Sequence, residues 1–256
     1  MRTRQIYRWS LFIGCLLVFA AFLVWPVILT VFKGFIDPDT GGFTLEYLKL
    51  VFADPVARAG LINALIIAVS VTLLCMLISM PLAMLSTRYD FPGKTILSAL
   101  LLVPLILPPF VGAIGLRQLL GRYGAFNSLF IDLGLVDPAA PFDFLGGARL
   151  GGVILMEALH LYPIVYLNVA AALANLDPTL EEAAQNLGAG RWRRFFRVTL
   201  PLILPGVFAG STIVFIWSFT ELGTPLMFDF YTVTPVQVWA KAGAASTATT
   251  AVISTS

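Results

Sequence analysis

Five long apolar runs constrain this chain more than any other feature: Ser10 to Phe32, Gly60 to Leu85, Ile96 to Leu116, Leu150 to Leu173 and Leu202 to Gly223. At ~1.5 Å per helical residue each is long enough to cross the ~30 Å hydrocarbon core of a bilayer. Lipid offers no partner to a backbone N–H or C=O, so a spanning segment must be a helix or a strand of a closed barrel. These runs lack the polar/apolar alternation that a barrel lumen requires, which leaves helices. Composition agrees, with 59% hydrophobic and 12% charged residues, about half the ~25% charge of soluble domains. The sequence therefore predicts an all-α, polytopic transmembrane helical bundle of about five spans and argues against a water-soluble domain. With 16 basic and 14 acidic residues, the charge is too balanced to point to nucleic acid.

Arg2, Arg4 and Arg8 precede the first run. Its length exceeds the ~7–15 residues of a cleavable signal and no small-x-small site closes it, so it reads as a membrane anchor. Phe12 to Cys15 resembles a lipoprotein processing site only faintly, because too few residues separate Arg8 from Cys15. Cys15 and Cys75 both fall in apolar runs and are expected as packed thiols rather than a disulfide. Pro81, Pro104, Pro108, Pro109 and Pro163 lie in or beside the spans and predict kinks or broken helices.

An N-terminus on the cytoplasmic side puts Arg2, Arg4, Arg8, Arg88, Lys94, Arg191, Arg193, Arg194 and Arg197 in short cytoplasmic segments. The other side then holds Lys33, Lys49, Arg58, Arg117, Arg122, Arg149 and Lys241 in longer loops. The bias satisfies the positive-inside rule. Five crossings place the C-terminus outside. The Ala/Ser/Thr-rich stretch Lys241 to Ser256 contains no sixth span and reads as a disordered end or as the edge of a shortened chain.

The polar stretch Asn175 to Pro205, on the cytoplasmic side, reads as two short helices. Asp177 precedes Pro178, and Thr179 with Glu182 fits a capping box. Ala183, Ala184 and Leu187 give a small apolar face, and Gly188 is placed to end the first helix in the left-handed conformation. Arg191 to Leu200 forms a basic amphipathic segment with Trp192, Phe195 and Phe196 on one side, stopped by Pro201. By physical chemistry alone an ordinary interfacial loop is as good a reading.

The order of residues adds to that reading. Glu182-Ala183-Ala184, three residues, Gly188, nine residues, then Val198-Thr199-Leu200-Pro201 resembles the EAA loop of binding-protein-dependent ATP-binding-cassette importer permeases, with Val198 in place of isoleucine. The resemblance covers about Arg58 to Gln237 and implies the type-1 permease fold, with residues 1–57 an additional N-terminal transmembrane helix and extracytoplasmic loop and 58–256 the permease domain. It implies that Pro178 to Gly188 is a coupling helix docking on a separate ATP-binding subunit, with Glu182, Ala183, Ala184, Gly188, Val198, Leu200 and Pro201 as the coupling residues of loop 175–205. A second permease half or subunit and an extracytoplasmic solute-binding protein are implied as partners, in the bacterial inner membrane. ATP and Mg would sit on the ATPase partner, with no cofactor on this chain. Asp90 to Lys94, Leu102 to Pro109 and Thr224 to Leu226 resemble the iron(III)-type group, which makes ferric iron the implied solute, with polyamine, phosphonate or another small solute open. Permeases of this family carry one more span after the fifth, so the domain is expected to lack its last span.

Gly93-Lys94-Thr95 is no phosphate loop, since position 88 is Arg88 where a P-loop needs glycine. The chain is thus expected to be a transport subunit and not its own ATPase. Glu157 and His160 share a face of the fourth span and Glu221 lies near the outer end of the fifth. An ionisable group at mid-bilayer costs ~2.5–3.5 kcal/mol on insertion scales, so each should face protein or a wet path. They are candidates for a translocation path, or for an ATP-independent proton-coupled transporter. Equally, Glu157 and His160 pair with each other or with kinked backbone while Glu221 snorkels. A single histidine argues against a multi-ligand metal site. Gly206 and Gly210 have the GxxxG spacing of a close helix contact, with a partner subunit or within the chain.

Overall fold

The computed structural model describes residues 2–37, 41–142, 144 and 149–243. The chain forms two compact units, Met1–Arg58 and Ala59–Ser256. In the first, α1 (Arg2–Phe19) runs through a π turn, Ala20–Val24, into α2 (Trp25–Lys33). Pro26 accounts for the π turn: the helix must absorb its ring and missing N–H, and Trp25 N–H reaches back five residues to the Ala20 carbonyl. Leu11–Lys33 is long and apolar enough to span, close to the run expected. Beyond it the Phe35 and Phe43 rings stack at 5.8 Å. Thr44 Oγ1 then accepts from Glu46 N–H at the start of α3 (Glu46–Ala53).

The second unit is built around its most buried candidate span, the helix Arg149–Ala174. α4 (Pro55–Arg88) buries Gly60, Ala64, Ile67, Val71, Cys75, Ser79, Ala83 and Ser86, a stripe at steps of three and four that small residues keep flat enough for close approach. The stripe meets α9 (Arg149–Ala174) through hydrogen bonds. Cys75 Sγ donates to the Ala158 carbonyl at 3.5 Å, Ser79 Oγ to the Tyr162 carbonyl at 2.7 Å, and Tyr166 Oη to Ser86 Oγ at 3.0 Å. Cys75 is the packed thiol expected, whereas Cys15 is exposed.

The expected third span, Ile96 to Leu116, is not one helix. It breaks into α5 (Lys94–Leu100), α6 (Val103–Ile106) and α7 (Pro109–Leu120), and the two limbs Lys94–Ile106 and Pro109–Asp132 meet at 101°. The cause is local chemistry. Pro108 and Pro109 bring no N–H, so the carbonyls of Pro104 and Leu105 lose their helical donors. At the upper break Leu105 N–H turns to the Leu102 carbonyl, and the freed Leu101 carbonyl accepts instead from Tyr162 Oη of α9 at 2.9 Å. After α8 (Ala125–Asp132), whose buried Asn127 bonds Gly121, Arg122 and Phe142 backbone, the chain enters α9. α10 (Pro178–Asn186), α11 (Arg191–Arg194), a π turn Phe195–Thr199, α12 (Leu200–Thr220) and α13 (Gly223–Met227) follow. Residues 234–243 are helical, so the stretch expected to be unstructured from Lys241 begins inside a helix, and the remainder of that expectation lies outside the described residues.

Polar contacts sort the ends of these helices into two groups. Arg88 at the end of α4 meets Glu181 of α10. At the opposite ends, Arg117 of α7 donates to Asp229 Oδ2 at 3.0 Å and to the Met227 carbonyl, and Arg149 at the start of α9 donates to the Asp229 carbonyl. The broken segment α5–α7 therefore starts beside the loop end and finishes at the far end, as one bent crossing. α9 and α12 pack most closely. A Cβ on Gly206 would lie 2.7 Å from Ala172 Cβ and 2.8 Å from the Asn168 carbonyl oxygen, and one on Gly210 3.0 Å from Val165 Cα. The GxxxG pair thus serves contact within the chain.

Candidate functional site

The loop after α9 is shaped by its caps. Asp177 Oδ1 accepts from Thr179 N–H at 2.9 Å, and that bond holds its carboxyl below the usual range. Because Pro178 is already the first helical residue, Thr179 lies inside α10 and the expected Thr179/Glu182 capping box gives way to an Asp177 cap. At the other end Gly188 N–H bonds the Gln185 carbonyl and Ala189 N–H the Ala184 carbonyl. This is the Schellman pattern, with Gly188 at φ +79°, the left-handed conformation expected. Glu182, Ala183 and Leu187 are exposed while Ala184 is half-buried. Leu187 is 88% exposed and Leu180 47%, so a helix tied at both ends leaves apolar side chains uncovered.

Arg191 to Thr220 is one continuous helical run, so Pro201 does not stop the basic segment. In the π turn Leu200 N–H bonds the Phe195 carbonyl, five residues back. The widened ring accommodates Pro201 where an α-turn would clash. Val198 and Leu200 are half-buried and Pro201 is exposed.

Glu181, one residue before the motif glutamate, faces inward. Arg88 donates to both its oxygens, through Nη1 to Oε2 at 2.8 Å and through Nη2 to Oε1, and Thr199 Oγ1 donates to Oε1 at 2.5 Å. Burial pushes the Glu181 carboxyl up, but the bonds from Arg88 and Thr199 and the charges of Arg88 and Arg194 outweigh it and leave the group below its ordinary value.

The intramembrane candidates converge near the opposite ends of α9 and α12. Glu157 and His160 are both buried. Ser218 Oγ donates to Glu157 Oε2, while Oε1 finds no donor among the described residues. His160 stands edge-on to Trp217, ring centres 6.4 Å apart, and beside the Pro104 backbone whose helical donor Pro108 removed. Glu157 and His160 therefore do not pair with each other. Glu221 is held by hydrogen bonds: Oε2 accepts from Trp217 Nε1 at 3.2 Å and Oε1 from Gly223 N–H at 3.0 Å, at the start of α13. It lies close enough for its charge to act on both Glu157 and His160.

Sequence reasoning missed Ser218, Trp217, Tyr162, Arg88, Glu181 and Thr199 as members of these clusters. Only Tyr162 had an indirect signal, since prolines in and after the third run foretell broken turns whose freed carbonyls need a donor from a neighbouring helix. Arg88 and Glu181 are 93 positions apart, and nothing local links them.

Residues 76–255 match the family of binding-protein-dependent transport system inner membrane components. The molybdenum transport system permease protein ModB of Escherichia coli K12 is 36% identical over 170 residues, covering 65% of this chain and 71% of that protein. The spermidine/putrescine transport system permease protein PotB of Haemophilus influenzae is 29% identical over 214 residues, covering 82% and 70%. A probable sulfate transport system permease protein cysT of Chlorokybus atmophyticus is 30% identical over 174 residues, covering 68% and 58%. In fold, the chain is similar to a bacterial ABC transporter that imports the polysaccharide alginate, with TM-score 0.68 and 18% identity over 93% of this chain and 84% of that one. None of these relatives carries iron in its name, and the narrower iron(III)-type assignment has no support among them. With its spans, its capped polar loop and this match over most of its length, the chain belongs to the binding-protein-dependent family and is a multi-pass inner-membrane permease subunit of an ATP-binding-cassette importer.

Proposed function

We propose that α10 is the handle by which a separate ATP-binding subunit drives this permease, and that the chain itself hydrolyses no ATP. The observation that carries this reading is the exposed face of Glu182, Ala183 and Leu187 on a helix fixed by Asp177 at one end and Gly188 at the other. Small residues allow a partner surface to approach, and the caps make the helix stiff enough to transmit force. Glu182, Ala183, Ala184 and Gly188 form the contact, and Val198, Leu200 and Pro201 join it to the spanning helix. ATP and Mg bind the partner. A second permease half or subunit completes the path and an extracytoplasmic binding protein delivers the solute. A structural neighbour was solved with a periplasmic protein bound to an alginate pentasaccharide, which supports that last partner.

For the solute we favour an oxyanion of the molybdate or sulfate class, because the molybdate permease is 36% identical over the 170 residues it matches, against 29% over 214 for the polyamine permease. A polyamine is the second reading, favoured by the polyamine permease's match over 82% of this chain and by the half-buried carboxylate of Glu221. Ferric iron has no comparable observation behind it. The test is co-purification with an ATP-binding subunit co-expressed with this chain, followed by ATP-driven uptake of radiolabelled molybdate into proteoliposomes that also contain the binding protein. Loss of the subunit on deleting Pro178 to Gly188 is the expected result, and retention of it refutes the handle. Competition by spermidine but not by sulfate would replace the oxyanion with a polyamine.

A further inference from the structure

We propose that Glu181, rather than the motif residue Glu182, transmits the motion of the coupling helix, as the pin of a three-way clasp with Arg88 and Thr199. This deepens the reading of α10 as a handle and rests on it. Three structural parts converge on one carboxylate: α10 itself, the last residue of α4, and the π turn that leads into α12. Arg88 binds both oxygens of Glu181, a two-point fork that resists rotation as well as translation. Thr199, 1% exposed, adds its hydroxyl at 2.5 Å, and Arg88 Nη2 lies 3.5 Å from the same hydroxyl, which closes the triangle. Glu182, next along α10, is exposed and free to meet a partner. Adjacent glutamates on a helix point about 100° apart, so one faces the ATP-binding subunit and the other the membrane domain.

The position of the clasp gives it reach. Thr199 is the last residue of the π turn, and α12 continues from it without interruption to Ser218, about 28 Å away at ~1.5 Å per residue. Ser218 is the donor to Glu157 of α9. A displacement of α10 therefore moves α4 and α12 together at the loop end, and α12, helical throughout despite Pro205, carries it to the Ser218–Glu157 contact at the other. Arg194 Nη1 donating to Gln185 at 2.7 Å ties α10 to the same run a second time, without touching α4.

The test uses the assembled complex with its ATP-binding subunit in nanodiscs. Hydrogen–deuterium exchange is followed in 218–224 with and without a non-hydrolysable ATP analogue. In the unmutated chain the analogue is expected to change exchange there. Arg88→Met and Glu181→Gln should reduce that change at least threefold while the ATP-binding subunit stays bound, with Thr199→Val as the mildest lesion. The reversed pair R88E/E181R should recover part of the response, which a merely damaged fold would not. An unchanged response in both single variants overturns the clasp and leaves the handle standing. Loss of the ATP-binding subunit from both variants also overturns it, since Glu181 would then only shape the docking surface. An unmutated complex with no response overturns transmission along α12, and failure of the unmutated chain to hold the subunit overturns the parent reading together with this one.

Discussion

Replacing Gly188 separates two accounts of why the loop needs a glycine there. Its φ is +79°, and a Cβ built on it meets nothing within 4 Å. The cost of a side chain at this point is therefore backbone conformation and not collision. An L-residue in the left-handed region loses about 1–2 kcal/mol. That corresponds to a shift of about 5- to 30-fold between the intact elbow and an opened one. Asparagine tolerates this conformation better than alanine does, and a β-branched residue tolerates it worst. Affinity for the ATP-binding subunit, titrated on the purified membrane chain, should therefore fall in the order glycine, asparagine, alanine, valine. The Schellman bonds of Gly188 and Ala189 should weaken in parallel, seen as faster amide exchange at those two positions. If affinity instead follows side-chain size, with alanine above asparagine, then Gly188 is needed for close approach of a partner and the conformational argument is wrong.

Gly206→Ala should cost about 1–3 kcal/mol by overpacking α9 against α12, since the added Cβ falls 2.7 Å from Ala172 Cβ. Gly115→Ala, whose Cβ meets nothing within 4 Å, should be neutral or stabilising by comparison, and thermal unfolding in detergent ranks the two. Ser218→Ala strands the second oxygen of a buried carboxyl and should cost about 1–3 kcal/mol. Adding Glu157→Leu should recover part of that loss, and a double variant less stable than the single one contradicts the assignment. Tyr162→Phe leaves the Leu101 carbonyl without its donor, and exchange in α5 and α6 should rise more than in α7. Because the Glu181 carboxyl lies below its ordinary 4.5, its bound form contributes fully above that pH and the contribution is lost as pH falls through the lowered value. The stability difference between the unmutated chain and Glu181→Gln should accordingly stay level from neutral pH down to about 4.5 and shrink below it.

The spans were legible in the sequence because lipid imposes a one-dimensional rule: a long apolar run must satisfy its own backbone, whatever surrounds it. Gly188 was legible for a similar reason, since only a local backbone need places glycine just past a capped helix. The prolines foretold that the third segment would break. They gave no sign of the 101° turn, because the angle depends on where α9 offers Tyr162 and His160 to the stranded carbonyls. Pro201 misled for the same kind of reason, as its clash was absorbed by a π turn that neighbouring residues permit.

The sequence by itself determined that the chain lives in a membrane and which helix end turns at Gly188, both from solvent and short-range sterics. Only the tertiary structure decided that Glu181 faces Arg88 and Thr199, that Ser218 donates to Glu157, and that Glu221 caps α13. Each of those contacts depends on distances between helices, and a polar side chain in a polar-poor interior bonds whatever donor the packing brings within reach.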